Sequence, residues 1–307
     1  MSEVLQFSCD RCGAPQEAAF DAEELVCGAC GHVVELEEAS WPGLEHDFRE
    51  ALGRGRSRPA RELAPGARPV RCEKCGAAAT LVEHSDLCPF CGSSLVVDPD
   101  DEETIVPEAI LLHRFGAEEA RAAFRRWLST RWFAPGDLFA SARGGEMDRV
   151  FLPWWTFDSR TVTSYRGRRG EHYHVTRGFG KDRRRVRRTR WSSRSGTVRV
   201  DFDDVLVPAT NSVPPATLAA LETWDLSALR RFDAPLLAGS VAERYRVGLE
   251  DGLRIAESRM EPDIRRAIRR DIGGDEQRIL ALAVRHDEVR FKLLLLPVWL
   301  SAYQYAG

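Results

Sequence analysis

Eight cysteines fall into four Cys-x-x-Cys pairs, with none left over. Cys9 and Cys12 are followed, after fourteen residues, by Cys27 and Cys30; Cys72 and Cys75 are followed, after twelve, by Cys88 and Cys91. A Cys-x-x-Cys turn presents two sulfurs from one tight loop, and two such turns at the ends of a short hairpin supply the four thiolates that a tetrahedral Zn²⁺ takes. Glycine follows the second cysteine of each pair, at Gly13, Gly31, Gly76 and Gly92. That suits a rubredoxin-like knuckle, where the next residue often needs a positive φ. A module of about 25–30 residues is too small to hold a core unaided, so metal binding would supply most of its folding free energy. Each site would use four protein ligands and keep no open position, which makes the two zincs structural. A disulfide framework would need an exported chain, and a redox motif would need one pair rather than four. An iron–sulfur cluster is the alternative that four thiolates leave open.

At 307 residues, with 43% hydrophobic and 30% charged residues, the chain is composed like a soluble globular protein with room for a core beyond these modules. The longest apolar run, Leu293–Leu300, is interrupted by Pro297 and is far short of the roughly 20 residues that span a bilayer. The start, MSEVLQFSCD, lacks the basic and apolar regions of a signal peptide. A cytoplasmic location is expected. Ribbon one is expected over residues 1–40, a Gly/Pro/Arg-rich linker over 41–69, ribbon two over 70–98, and an α+β domain over 99–307.

Helical spacing of Ala120, Ala123, Phe124, Trp127 and Leu128 predicts a helix over 117–130. A second helix is expected from Pro215 through Leu221. A third is expected from Val241 to about Arg270, with Ser240 and Glu243 as a capping box. Four apolar runs end in proline, at Pro107, Pro153, Pro208 and Pro297, and LPWW at 152–155 resembles LPVW at 296–299. Proline belongs at strand edges or bulges, so the domain is expected to carry a curved antiparallel sheet with packed helices. Residues 278–296 read as a hairpin turning at Asp287-Glu288.

Charge is unevenly placed. Residues 160–200 hold 14 Lys/Arg against two acids, a net of +12, which leaves the remainder at −15. The densest part is Lys181, Arg183, Arg184, Arg185, Arg187, Arg188, Arg190 and Trp191. Gly178 and Gly180 provide turn chemistry, so 172–177 and 185–200 are expected to pair as a hairpin with basic groups at its tip and on an outer face. Tyr165, Tyr173, Phe179 and Trp191 are interleaved among them. Such a surface suits an acidic protein partner, a nucleic acid or an anionic membrane surface touched peripherally, and it also fits a solvated strand or the acids of ribbon one, such as Glu37 and Glu38.

No GxxxxGK[ST] phosphate loop and no GxSxG elbow occur. His172 and His174 with Glu171 form a candidate metal group lacking a third firm ligand, and Asp201, Asp203 and Asp204 form a carboxylate cluster that a turn or a strand edge would also explain. No catalytic residue is assigned.

The motifs CDRCG, CGACG, CEKCG and CPFCG, RWFAP, FLPWWTFDSRTVTSYRGRRG, RTRWSSRSGTV, VLVPAT, LAGSVAERY and LLLPVWLSAY together give a resemblance to the bacterial proteins described as having a TFIIB-type zinc ribbon, often labelled PriA-like helicases. The resemblance runs over nearly the full length. It implies paired zinc ribbons on the eight cysteines and no established reaction. A helicase must bind a nucleoside triphosphate, and there is no P-loop here to do it. The expected role is a non-enzymatic adaptor binding a protein partner; the alternative is a nucleic-acid-binding protein using the same hairpin and ribbons.

Overall fold

The computed structural model describes residues 4–9, 11–12, 14–19, 24–35, 44–54, 57–59, 68–81, 88–91, 93, 95–97, 103–130, 147–221, 224–237 and 240–301. Near the N-terminus, β1 (Val4–Ser8) pairs with β2 (Pro15–Ala19), and β3 (Glu24–Val26) pairs with β4 (Val33–Glu35). Next come β5 (His46–Asp47), α1 (Phe48–Arg54) and β6 (Ser57–Pro59). The second cysteine module supplies β7 (Arg68–Cys72), β8 (Ala78–Leu81) and β9 (Leu95–Val97). After β10 (Glu103–Ile105), β11 (Ala109–Ile110) and α2 (Ala117–Ser129), the chain enters a 30-residue strand, β12 (Asp148–Arg177). Then follow β13 (Arg184–Pro208), α3 (Pro215–Ala220), β14 (Arg230–Arg231), β15 (Val241–Glu243), α4 (Leu249–Ile272) and β16 (Glu276–Leu300).

Among the described residues the fold is mixed α and β, with one ten-stranded sheet and few helices. The strand β12 is its spine, antiparallel to β13 on one side and to β16 on the other. Two short pairings are parallel, β11 with β16 and β12 with β15, so the sheet is not antiparallel throughout. Within the stretch read as linker, Phe48–Arg54 is helical and Ser57–Pro59 pairs with Glu103–Ile105; residues 55–56 and 60–67 lie outside the described residues.

Two apolar clusters cover the first part of this spine. On one face Leu152, Trp154, Leu294 and Leu296 meet Val213, Leu218 and Leu229. On the other, Trp155, Phe157, Tyr165 and Phe291 meet α4. The buried positions of α4 are Leu249, Gly252, Ala256, Met260, Ile264, Ile268 and Ile272, one stripe of an amphipathic helix. Full burial of each isoleucine contributes about 1.5–3 kcal/mol. At Gly252 a Cβ would lie 2.8 Å from Trp155, so glycine is needed for the close crossing. Pro262 is on the exposed side of α4, where the loss of one helical N–H is least costly because solvent can reach the backbone. Of the face expected for α2, Ala120 and Leu128 are buried, whereas Ala123 and Trp127 are exposed.

The LPWW and LPVW motifs lie opposite each other, with Leu152 paired to Leu296. Pro153 sits where β12 changes partner, from β15 at Phe151 to β13 at Trp154, and its carbonyl accepts the Ala209 N–H.

Two expectations are corrected. The third helix starts at Leu249, not Val241, because Val241–Glu243 is a buried strand between β12 and β8. Ser240 and Glu243 therefore cap nothing: the Glu243 carboxylate is buried and accepts the Ser212 hydroxyl. Asp287-Glu288 is not a hairpin turn. β16 runs through it, and the register with β12 slips between Asp158 and Arg160, with Glu288 at φ 50°. A bulge absorbs the extra residue and the strand continues.

Burial pushes the Glu243 carboxyl up to about 7, against the hydrogen bonds of Ser212 and Thr210 and the nearby Arg246. Because the folded value lies above the unfolded one, near 4.3, its stabilising contribution is lost as pH rises through about 7. Glu243→Gln cannot ionise. Its thermal midpoint is expected to exceed the parent's by a few degrees at pH 8 and to converge with it below about pH 4, as read by circular dichroism.

Candidate metal centres and binding surface

Both cysteine quartets converge. In each, the four sulfurs lie within 4.8 Å of one another. Cys9–Cys30 and Cys12–Cys27 are 3.6 Å apart, Cys72–Cys91 3.4 Å and Cys75–Cys88 3.7 Å. These distances exceed a disulfide's roughly 2.05 Å bond and suit the edges of a tetrahedron around an ion bonded at about 2.3 Å. All eight are free thiols. The knuckles repeat one backbone pattern: Cys9, Cys27, Cys72 and Cys88 each donate an N–H to the carbonyl five residues on. Gly31 and Gly76 have φ of 69° and 74°, the conformation expected of them; Gly13 and Gly92 lie outside the described residues.

Thiol acidity also fits a cation. The Cys27 thiol is brought down to about 6, first by the Cys30 N–H and then by that of Ala29, against burial. At Cys91 burial is overcome by the Ser93 N–H and hydroxyl and by Cys72, again to about 6. Cys12 goes the other way, up to about 12: the Ala14 N–H lowers it, but Cys30, burial, Cys27 and Cys9 outweigh that. Four crowded sulfurs cannot all ionise without a positive charge between them. Two Cys₄ groups thus can each hold a metal ion.

The two quartets are embedded differently. The first is served by two separate two-stranded sheets. The second is laddered into the main sheet: β8 pairs with β15, the Arg244 N–H donates to Ala78, and the Arg246 guanidinium donates to the Gly76 carbonyl in its knuckle. Phe90 packs both on Cys72 and Cys88 and on the central apolar cluster.

The basic hairpin forms as expected and is longer. It runs from Arg177 paired with Arg184 down to Trp154 paired with Pro208. Gly178 has φ 100°, and a Cβ there would lie 2.2 Å from the Asp182 carbonyl oxygen, so the turn demands glycine. β16 begins opposite Gly170, so residues 171–177 and 184–190 pair only with each other. On this two-stranded arm Lys181, Arg183, Arg184, Arg185, Arg187, Arg188 and Arg190 are all exposed, and Trp191 is half-buried. Among the described residues no carboxylate pairs with the five arginines from 183 to 188. Arg190 lies over Tyr173 at 5.3 Å, and Arg278 lies over Trp191 at 4.1 Å. Phe179, at the apex, is 98% exposed. The acids Asp21, Glu23, Glu37 and Glu38 of the first module lie outside the described residues.

The other candidate clusters resolve into structure. Nε2 of His172 is 2.7 Å from Glu276, which also accepts the Thr189 hydroxyl. Among the described residues His172 and His174 belong to no group of three ligands. Asp203 joins Glu45 and Asp158, a grouping that spacing could not reveal because its members are far apart in sequence. Its counter-ion is Lys292, 4% exposed, with Nζ 2.9 Å from Asp204 and 3.7 Å from Glu45. Burial and the neighbouring Glu45 push the Asp158 carboxyl up to about 7. The lysine supplies the cation this cluster needs. Asp204, at φ 47°, is a bulge residue, and the Asp158 carboxylate holds its N–H.

No established family profile and no solved structure matches the chain. It is similar to the Bacillus subtilis protein described as uncharacterized protein YdjG, 21% identical over 98% of this chain and 84% of that one. Among the described residues no helix is long and apolar enough to cross a membrane.

Unequal embedding gives unequal consequences. Purified chain is expected to carry two metal equivalents by elemental analysis, and Cys12→Ser and Cys75→Ser one each. Cys75→Ser is expected to cost about 2–4 kcal/mol, or a fall of about 5–10 °C in thermal midpoint, because its module is bonded to the central sheet. Cys12→Ser is expected to shift the main transition by less than half as much.

Proposed function

We propose that the protein is a non-catalytic adaptor, organised by two structural Zn²⁺ ions, that holds an acidic protein partner through its ribbons and its basic arm. Zinc is the metal of this reading because four protein thiolates at tetrahedral spacing suit it, and because the sequence motifs resemble those of TFIIB-type zinc-ribbon proteins. Four protein ligands at each ion leave no coordination position for a substrate, so the ions hold shape. The observation that carries the reading is the arm: a paired, glycine-turned hairpin whose arginines have no acidic partner among the described residues, with Phe179 bare at its apex. Exposed cations on preformed backbone steer an acidic surface, and an aromatic at the tip gives it an anchor to bury.

Nucleic acid is the second reading, favoured by the same density of arginine. The two separate by experiment. Tagged parent and an Arg183/Arg184/Arg185/Arg187/Arg188→Ala variant are used for capture from nuclease-treated extract, and labelled DNA and RNA are titrated at two salt concentrations. The adaptor reading expects a protein retained by the parent and lost by the variant, with oligonucleotide affinity weaker than about 10 μM at physiological salt. Sub-micromolar oligonucleotide binding that falls steeply with salt and collapses in the variant would replace it with the second reading.

A further inference from the structure

Below the arm, the three strands β13, β12 and β16 form a sheet that, among the described residues, is covered on one face only. Tyr165, Val198, Val200, Leu282 and Val284 face α4. The residues between them face away from it. Four successive rows on this open face contain no acid. Val162 lies between Arg199 and Arg285, and Ser164 between Thr197 and Ala283. Arg166 lies between Ser195 and Ala281, and Arg168 between Ser193 and Arg278. All five arginines are exposed. Arg285 is held by Asp287, and Arg278 lies on Trp191, whose indole reaches it across Gly170. Arg166, Arg168 and Arg199 form no ion pair with the described residues.

Same-face rows repeat every ~6.7 Å along a strand, and strands lie ~4.8 Å apart, so the patch measures about 20 by 10 Å. Its floor is Val162 with serine, threonine and alanine. On β16 the register slips between the third and fourth rows, where Leu280 bulges out 64% exposed, while along β13 the small Thr197, Ser195 and Ser193 let another backbone approach closely. An extended peptide has the same ~6.7 Å repeat between side chains on one side. Carboxylates at alternate positions would meet guanidinium groups in the first, third and fourth rows and hydroxyls in the second. Nucleobases find no platform here. Among the described residues the only ring on this stretch is Trp191, and Arg278 already covers it, whereas single-strand binders offer free aromatics for stacking.

We infer that this open face is a second binding surface, separate from the arm's tip, that takes an extended, acid-rich segment of a partner protein. The inference rests on the adaptor reading and assigns the partner's chemistry. Its test is fluorescence anisotropy on the full chain with two labelled peptides of about twelve residues and equal composition, one alternating Glu and Ser, the other with its Glu in one block. The alternating peptide is expected to bind tighter, with affinity falling as salt rises. Replacing Arg166, Arg168 and Arg199 by Ser is expected to weaken it about 10–100-fold, and replacing Arg183, Arg184 and Arg185 by Ser by less than about 3-fold. Ser195→Glu, which removes no arginine and puts a carboxylate in the middle of the patch, is expected to weaken it as strongly; unchanged thermal midpoints would show that the variants fold. Equal binding by parent and face variant would overturn the inference, and loss in the tip variant alone would do so while leaving the adaptor reading standing. Tighter binding of a single-stranded oligonucleotide of equal charge would overturn both.

Discussion

The continuous ladder along β12 is the constraint on which the other features depend. Paired to β13 on one side and β16 on the other, it fixes which side chains face α4 and which face away. A slip of one residue would put Tyr165 and its buried neighbours in water and turn the arginines into the apolar stripe of α4. The stripe of Ile264, Ile268 and Ile272 holds that register, and Tyr165 reinforces it by donating to Asp271 at the end of the helix. The arginines of the open face are therefore the necessary complement of a one-sided core.

Both neighbours of β12 slip register at the same level, between Phe157 and Ser159 towards β13 and between Asp158 and Arg160 towards β16. That is also where the sheet passes from apolar cover on both faces to cover on one. The buried Lys292, with Asp204 and Glu45, sits at this junction, and its charge is matched by carboxylates brought from three separate segments. Bulges and paired charge together let a single strand serve a dry core at one end and a wet binding face at the other.

Much of this was legible in the sequence where the signal is local. Four cysteine pairs at one spacing specify two quartets, and Gly178 and Gly180 lie within a real turn. The same local reading failed where tertiary pairing decides. Asp287-Glu288 looks like a turn because a polar pair interrupts the apolar alternation, and Asp203-Asp204 fits a turn as well as a strand edge, yet both are bulges in strands that continue, since β12 supplies partners on either side of them. Ser240 and Glu243 have the spacing of a helix cap, but Val241–Glu243 is claimed by β12 and β8. The turn chemistry of Gly178 and Gly180 predicted the hairpin of 172–177 and 185–200, whereas the acid-free rows became visible only when the register placed a third strand, β16, beside it. Lys292 and Asp158 gave no sequence signal because their partners are distant in the chain.

The central claim is that the basic residues are displayed on preformed, paired strands. Amide hydrogen exchange on the metal-loaded chain tests it directly. If the ladder is as described, amides of residues 160–170 are protected close to the limit set by global unfolding, and those of 171–177 and 184–190 are protected less but well above an unstructured peptide. Exchange of both segments at free-peptide rates would mean that no sheet presents these arginines, and the account of the surface would fail.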